Sequence, residues 1–507
     1  MNADLVIGVD SSTTATKVVA FDREGAFVAE GRASIGMESP KPLFFEQDAE
    51  EWWTSLVAAL KVLGAQIDLR RVAALSVSNQ RETFVLLDEN DRPASPGITW
   101  LDERGRDDVR LLSERLGRDT LREITGKTPD PTPCLYAAHW LKRNEPELYA
   151  RAARVCDVHA FLVLRLTGRY RTSWASADPT GFYDLGNHVY SPVILEALDL
   201  RREQLAVAER PGTVLGHVSE AAAALSGLPE GTPIVAGGGD GQAAGLGTGT
   251  LAAGSAYLNL GTACVSGVYD RAYATDPAFR TMASLSGDGY IYEVCLRSGT
   301  FLVDWFVKGL FGADTEADPG IYERLEQEAA RLPIGSEGLM LMPYWGGVMT
   351  PYWNYNARGG LLGLSAEHGR AHVYRALMEG IALDLAMGYA EIEKAIGQPI
   401  RELLTIGGGS RSRTWCQIVA DATGKTVYRS DVVEASALGA AITAAVGAGW
   451  FTDAQQAAAS MAARGDVEIR PQADNAQAYG RLLDVYRKVY PANREILEAL
   501  AMFKSEG

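Results

Sequence analysis

Cysteine is scarce in this chain, and its spacing is uninformative for pairing. The 507 residues include five cysteines, which lie far apart and form no Cys-x-x-Cys pair: Cys134, Cys156, Cys264, Cys295 and Cys416. A small secreted scaffold would carry a denser and more regular set, so a disulfide framework is excluded. We therefore expect a protein of the reducing cytoplasm.

Long hydrophobic runs and excess positive charge are also missing. No stretch reaches the roughly 18 apolar residues of a membrane-spanning helix, and the start of the chain lacks the pattern of a signal peptide. Lysine and arginine number 48 against 64 aspartates and glutamates, a net charge of -16. That balance argues against nucleic acid, whose phosphates require basic stripes. We expect neither nucleic acid nor membrane as a partner, while small anionic ligands stay possible through local glycine loops and metal.

The length and the composition point to a soluble enzyme with more than one domain. The chain exceeds a single ordinary core, and its contents of 47% hydrophobic and 22% charged residues are typical of globular proteins. Apolar strands alternate with helical patterns, which indicates an α/β fold.

A glycine-rich stretch lies almost halfway along the chain. The apolar run 233–236 enters Gly237–Gly239, Asp240 follows, and small residues lead on to Gly249. This order predicts a strand that ends in a turn and then a helix, the place where open α/β sheets bind ligands. A turn that only reverses the chain is the plainer alternative.

Two nucleotide motifs fail on inspection. Residues 239–244 fit the dinucleotide pattern G-x-G-x-x-A, but Asp240 would face a pyrophosphate and no acidic residue follows about 20 positions later. The Gly-Lys-Thr steps at 126–128 and 424–426 lack the earlier glycine of a phosphate-binding P-loop. Both steps are better interpreted as ordinary turns.

The second half of the chain repeats patterns of the first. A hairpin of apolar strands around the polar loop 10–17 is matched by a hairpin around the turn 261–266. The run 233–239 is matched by 403–409, each an apolar strand that enters three glycines. We predict a duplicated α/β domain, with residues 1–250 and 251–507 facing across a cleft and a glycine-rich hinge at 247–254.

The paired hairpin loops are candidate phosphate sites. The first loop offers backbone N–H groups, threonine hydroxyls and Lys17, and the second offers Gly261 and Thr262. Tight turns with such donors commonly hold phosphate. Two structural turns are the alternative for either loop considered alone.

Taken together, these motifs resemble the FGGY family of carbohydrate kinases. The resemblance rests on the first hairpin, Asp240, the turn at Gly261, the glycines 407–409, and above all the segments 359–364 and 372–379, which match the family's C-terminal signature. It implies duplicated RNase H-like domains of the actin, hexokinase and Hsp70 superfamily, with the N-terminal domain binding sugar and phosphate and the C-terminal domain binding ATP.

The resemblance also implies roles for individual residues. Asp240 would be the general base, and Asp10 would hold Mg²⁺. The sugar would contact Arg81, Glu82, Trp100, Asp240 and Gln242. ATP would contact Thr13, Thr14, Lys17, Gly261, Thr262, Gly408, Gly409 and Arg413. Dimers are common in the family, so a homodimer is a further expectation.

Different segments of the chain resemble kinases that act on different substrates. Residues 79–83, Asn-Gln-Arg-Glu-Thr, resemble glycerol kinase, and an arginine beside a glutamate can clasp a diol while each neutralises the other. Residues 45–53 and the glycines before Asp240 resemble xylulose kinase. We predict phosphorylation of a small ketose, D-xylulose first, with glycerol or another polyol as the alternative. A non-catalytic actin-like ATP-binding protein is the alternative of a different class.

Overall fold

The computed structural model of the chain describes residues 3–430, 432, 434–463 and 465–502. Each half of the chain is built on a twisted mixed sheet with helices packed against it. No helix in the described ranges combines the length and apolarity that crossing a membrane requires.

Within residues 3–250 the structure contains fourteen strands and ten α-helices. The strands are β1 Leu5–Ser11, β2 Ala15–Phe21, β3 Phe27–Ser34, β4 Glu46–Gln47, β5 Val72–Asn79, β6 Phe84–Leu87, β7 Gly97–Ile98, β8 Arg154–Asp157, β9 Arg171–Ser173, β10 Tyr183–Asp184, β11 Val189–Tyr190, β12 Val207–Glu209, β13 Val214–His217 and β14 Pro233–Gly239. The helices are α1 Ala49–Gly64, α2 Arg106–Leu116, α3 Arg118–Thr125, α4 Cys134–Asn144, α5 Pro146–Arg151, α6 Val158–Thr167, α7 Trp174–Ala177, α8 Pro192–Leu198, α9 Glu220–Ser226 and α10 Asp240–Gly247.

The second half continues the numbering. Its strands are β15 Ser255–Leu260, β16 Cys264–Asp270, β17 Arg280–Ala283, β18 Tyr290–Leu296, β19 Met340–Met342, β20 Gly360–Leu362, β21 Glu402–Ile406, β22 Thr426–Arg429 and β23 Val467–Ile469. Its helices are α11 Thr300–Asp304, which runs on into a π-helical turn at Trp305–Leu310, α12 Ile321–Ala330, α13 Arg370–Ile396, α14 Arg413–Thr423, α15 Ala435–Gly447, α16 Ala454–Met461 and α17 Ala473–Met502.

The two large sheets share one topology. The first sheet has the order β3-β2-β1-β5-β14-β13, and the second has the order β17-β18-β16-β15-β21-β22-β23. In each, three strands pair in antiparallel fashion, two parallel strands follow, and an antiparallel strand closes the edge. The second sheet adds β17 outside this pattern. The predicted duplication of an α/β domain is confirmed.

The structure corrects one of the two sequence repeats. The hairpin β1–β2 does correspond to β15–β16, but the glycine-ended strands β14 and β21 occupy different positions. Strand β21 adjoins β15 as β5 adjoins β1, whereas the counterpart of β14 is β22. Both strands end in glycines because ligands approach the backbone at the carboxyl ends of parallel strands. The similarity of the two sequence runs therefore reflects a similar ligand-facing end and not an equivalent position in the sheet.

Helix α15 of the second half packs on the first sheet and on helix α10. Small residues permit this close approach. A Cβ added to Gly8 of β1 would lie 1.8 Å from the Ala437 carbonyl oxygen, and one added to Gly439 would lie 1.9 Å from that of Ala243. The chain passes from the first sheet to the second between α10 and β15, within the predicted joint. Helix α15 belongs to the second half of the sequence but packs against the first domain.

Candidate active site

The site is assembled at the carboxyl ends of three neighbouring strands of the first sheet. Strands β1 and β14 flank β5 in parallel, with Ser11 and Gly239 both in register with Asn79. Their ends therefore meet at one edge. Asp10 near the end of β1 and Asp240 directly after β14 are brought together in this way, although they are far apart in the sequence.

A cavity of about 520 Å³ opens at this edge, between the two halves of the chain. Residues from both halves line it: Arg81, Glu82, Trp100, Leu101, Thr132, Asp240, Asn259, Thr262, Ala263, Val265, Arg280, Cys295, Leu296, Arg297, Gly346 and Met349.

Asp240 is the first residue of α10, and its side chain is 46% exposed towards the cavity. The N–H of Gly241 donates to its Oδ1 at 2.7 Å, and Arg81 Nε lies 3.0 Å from the same oxygen. The preceding glycine is required, because a Cβ on Gly239 would lie 2.4 Å from Arg81 Cγ. The carboxylate is thus held by one hydrogen bond and one ion pair while it faces the cavity.

Asp10 is half-buried, and one of its carboxylate oxygens is buried and unsatisfied. Its Oδ1 has no hydrogen-bond partner among the described residues. Burial, and next the nearby charge of Asp240, raise the pKa of Asp10 to about 7. A cation beside the pair would offset both effects, and Mg²⁺ prefers one or two carboxylates together with phosphate oxygens. The donors present fit that ion, and the described residues contain no cluster of three or more His, Cys, Asp or Glu that would hold a metal alone.

The loop between β1 and β2 has its polar groups partly engaged. Thr13 Oγ1 accepts a hydrogen bond from Trp100 Nε1 at 2.9 Å, and Thr14 is exposed. Lys17, in register with Asp10, donates to both carboxylate oxygens of Glu434 at 2.7 Å. Lys17 therefore lies beside Asp10, and its ammonium group forms an ion pair with Glu434, the residue before α15.

The predicted ATP residues of the second half lie at the ends of β15 and β21. Gly261 and Thr262 form the turn after β15, and Thr262 is exposed to the cavity. A Cβ on Gly408 would meet none of the described residues within 4 Å, and Gly409 is buried with no room for a Cβ, which would lie 2.7 Å from the ring of Trp415. Arg413 is exposed at the first position of α14. Their roles in binding ATP stay predictions.

Gln242 lies two residues beyond Asp240 but outside the set that lines the cavity. It is buried, and its Nε2 donates to the Ala175 carbonyl at 3.1 Å. Its Oε1 has no partner within the described ranges. In this arrangement Gln242 does not line the cavity. Its contact with the sugar stays a prediction.

Arg81 and Glu82 both line the cavity, but their charges are compensated differently from the prediction. Arg81 Nε is 4.0 Å from Glu82 Oε2, a loose contact. Arg81 instead pairs with Glu293 at 2.6 Å, and Glu82 pairs with Arg280 at 3.1 Å. Arg280 also contacts Glu293 at 2.6 Å. The four side chains, which we call the charged quartet, are buried and join the two halves.

Burial and pairing act in opposite directions on the quartet carboxylates. Burial by itself raises the pKa of Glu293, but Arg81 and Arg280 together hold that pKa well below its ordinary value. Burial dominates at Glu82 and raises its pKa. Glu293 is therefore the firmly ionised member that bridges both guanidinium groups.

Arg280, Glu293 and Cys295 are cavity or quartet residues that sequence reasoning missed. They come from β17 and β18, which form the edge of the second sheet. One signal was present: the strand Tyr290–Leu296 is apolar except for Glu293, and a lone carboxylate in a buried strand requires a partner. Nothing in the sequence indicated that this partner would be Arg81, more than 200 positions away.

The rejected Gly-Lys-Thr steps prove to be structural. Lys127 is buried and pairs with Asp178, so its ammonium group is engaged within the protein. Gly424 ends α14 in the left-handed conformation, and Lys425 pairs with Glu393. Their interpretation as turns agrees with the structure.

Trp100 connects the cavity to the first hairpin loop, and we expect this link to be measurable. Trp100→Phe keeps an apolar ring but removes the indole N–H that donates to Thr13. One hydrogen bond contributes about 1 kcal/mol, so kcat/KM for the sugar should fall about fivefold. Steady-state kinetics at saturating ATP measure the change. Trp450→Phe, outside the cavity, is the control and should leave kcat/KM unaltered; equal values for both variants would contradict the link.

Comparison with known proteins places the chain in a family. The model of the FGGY family of carbohydrate kinases, N-terminal domain, matches residues 5–247, and that of the C-terminal domain matches residues 256–448. The chain belongs to the FGGY family of carbohydrate kinases. It is an ATP-dependent carbohydrate kinase, so the alternative of a non-catalytic actin-like protein is not supported.

Individual relatives agree with this placement. The xylulose kinase of Escherichia coli (strain K12) is 31% identical over 88% of this chain and 90% of its own length. The xylulose kinase of Bacillus subtilis (strain 168) is 29% identical over 98% and 99%. The crystal structure of xylulose kinase from Rhodospirillum rubrum superposes with a TM-score of 0.90 at 27% identity, covering 97% of this chain and 99% of that one. The predicted two-domain kinase fold is confirmed.

Proposed function

We propose that this FGGY kinase transfers the terminal phosphoryl group of ATP to a hydroxyl of a small ketose, D-xylulose first, with Asp240 as the general base. One observation carries the proposal: the Asp240 carboxylate projects half-exposed into a cavity lined by both halves of the chain. The similarity to xylulose kinases supports the choice of sugar.

Asp240 fits the role of proton acceptor. Its Oδ1 is oriented by Gly241 N–H and lies beside Arg81 Nε, which leaves the other carboxylate oxygen free to accept a proton from the attacking hydroxyl. A general base within hydrogen-bond reach of an alcohol assists it as the phosphoryl group transfers. The sugar would lie against Trp100 and Glu82, which line the same cavity as Asp240.

Phosphate binding would fall to the two hairpin turns. Thr13 and Thr14 lie at the first turn and Gly261 and Thr262 at the second, so the phosphates would be gripped from both halves. Asp10 would hold Mg²⁺. When bound, that ion neutralises charge on the transferring phosphoryl group.

The polyol alternative keeps support from the same cavity. Arg81 and Glu82 line it, and the segment 79–83 resembles glycerol kinase. We place the enzyme in the cytoplasm, in keeping with five cysteines that are all buried free thiols. A homodimer stays a prediction.

A substrate panel tests the proposal. We expect ADP release with Mg-ATP to depend on added sugar, with kcat/KM for D-xylulose at least about tenfold above that for glycerol. This ratio is of the size that a few matched hydroxyl contacts provide. A coupled ADP-release assay over ketoses and polyols measures it, and a reaction without sugar is the control. Glycerol as the best substrate would reject the ketose assignment, and ADP release indifferent to every sugar would reject the proposed activity.

A further inference from the structure

We propose that Arg280, contributed by the second half of the chain, is a substrate-binding residue that donates a hydrogen bond from its Nε–H to an oxygen of the sugar. The inference deepens the proposed function and rests on it, because it concerns the cavity in which Asp240 would act.

The first step is the position of Arg280 in the sheet. It begins β17, and its partner in register on β18 is Glu293. Its side chain is 4% exposed and lines the cavity beside Cys295. The antiparallel pair thus directs an arginine from the edge of the second sheet towards the sugar side of the first domain.

The second step is the set of donors that Arg280 uses. Nη1 donates to Glu82 Oε1 at 3.1 Å, and Nη2 donates to Glu293 Oε1 at 2.6 Å. Nη2 also lies 3.4 Å from Cys295 Sγ. Nε is buried and has no partner among the described residues. A buried donor without a partner is unfavourable, and Arg280 lines the cavity, so a sugar oxygen bound there could supply the missing acceptor once the side chain adjusts to it.

The third step is a comparison with Arg81, the residue that the sequence favoured for this contact. Both terminal nitrogens of Arg81 donate to Glu293, and its Nε lies 3.0 Å from Asp240. Every nitrogen of Arg81 is therefore committed to a carboxylate of the protein. Arg280 has a nitrogen without a partner among the described residues, which Arg81 lacks, so we assign the contact with a sugar oxygen to Arg280, while Arg81 positions Asp240.

The test replaces Arg280 by lysine. R280K retains the positive charge that Glu82 and Glu293 require but removes the guanidinium Nε–H. We expect KM for the best sugar of the panel to rise about tenfold with KM for ATP unchanged, as for loss of a hydrogen bond made to the sugar alone. Calorimetry of sugar binding without ATP should show the same loss and separates binding from chemistry.

A matched control removes a buried guanidinium elsewhere. Arg375 pairs with Glu379 at 2.9 Å with exposures of 8% and 3%, close to the 4% and 4% of Arg280 and Glu82, and it lies outside the cavity lining. R375K should leave both KM values unchanged. An unchanged sugar KM in folded R280K, or equal effects on sugar and ATP, would overturn the proposal. The assay uses whichever sugar the panel selects, so this failure is distinct from failure of the ketose assignment.

A crystal structure of the unmodified protein with that sugar covers the case in which R280K does not fold. We expect Arg280 Nε within about 3.2 Å of a sugar oxygen. A bound sugar that leaves this Nε without a contact would overturn the assignment.

Discussion

Asp240→Asn should lower kcat about 1000-fold and change KM for the sugar by no more than a few-fold. A positioned general base contributes about 100- to 10,000-fold, and an amide cannot accept the proton. The geometry should survive, because the amide oxygen can still accept the hydrogen bond from Gly241 N–H that now reaches Asp240 Oδ1 at 2.7 Å. Single-turnover and steady-state ADP release measure the effect.

Asp288 offers the control for this substitution. It is 51% exposed, against 46% for Asp240, and it also lies near an arginine, with Arg271 Nη2 at 3.9 Å. It does not line the cavity, so Asp288→Asn should retain wild-type kcat. A kcat for Asp240→Asn within tenfold of wild type would show that another group accepts the proton.

Gly439→Ala should destabilise the protein by about 3 kcal/mol and lower kcat as well. The added Cβ would lie 1.9 Å from the Ala243 carbonyl oxygen, a backbone atom of α10 that no side-chain rotation can move away. Overpacking of this kind costs about 1–3 kcal/mol, and a backbone contact lies at the upper end. Helix α10 begins with Asp240, whose carbonyl accepts a hydrogen bond from Ser436 of α15 at 3.1 Å. Separating the helices therefore moves Asp240, the proposed base.

Urea denaturation and kcat measure this effect, with Gly480→Ala as the control. Gly480 lies in α17, and a Cβ there would meet none of the residues that the structure describes within 4 Å. Alanine is the better helix former by about 1 kcal/mol, so this variant should raise the denaturation midpoint. A midpoint for Gly439→Ala at or above wild type would mean that α15 and α10 are not held together as closely as the structure has them.

The fold and one wall of the site could be predicted from local sequence. The hairpin loop with Asp10 and the glycines before Asp240 are short segments that can be recognised directly in the sequence. The order of the strands then brings both segments to the same edge of the first sheet. The duplicated domain followed from the repeated hairpin. The repeat of glycine-ended strands was misassigned, because β14 and β21 share a ligand-facing end without sharing a position in the sheet.

The sequence by itself determined the family and the α/β duplication, and it supplied the candidate site residues, because these depend on motifs a few residues long. Only the tertiary structure decided how Arg81 and Glu82 are neutralised. Their partners Glu293 and Arg280 come from an edge strand pair of the other half, and a buried charge is compensated by whatever the packing brings within about 3 Å, at any separation in the chain. For the same reason the free donor belongs to Arg280, a residue that no local pattern singles out.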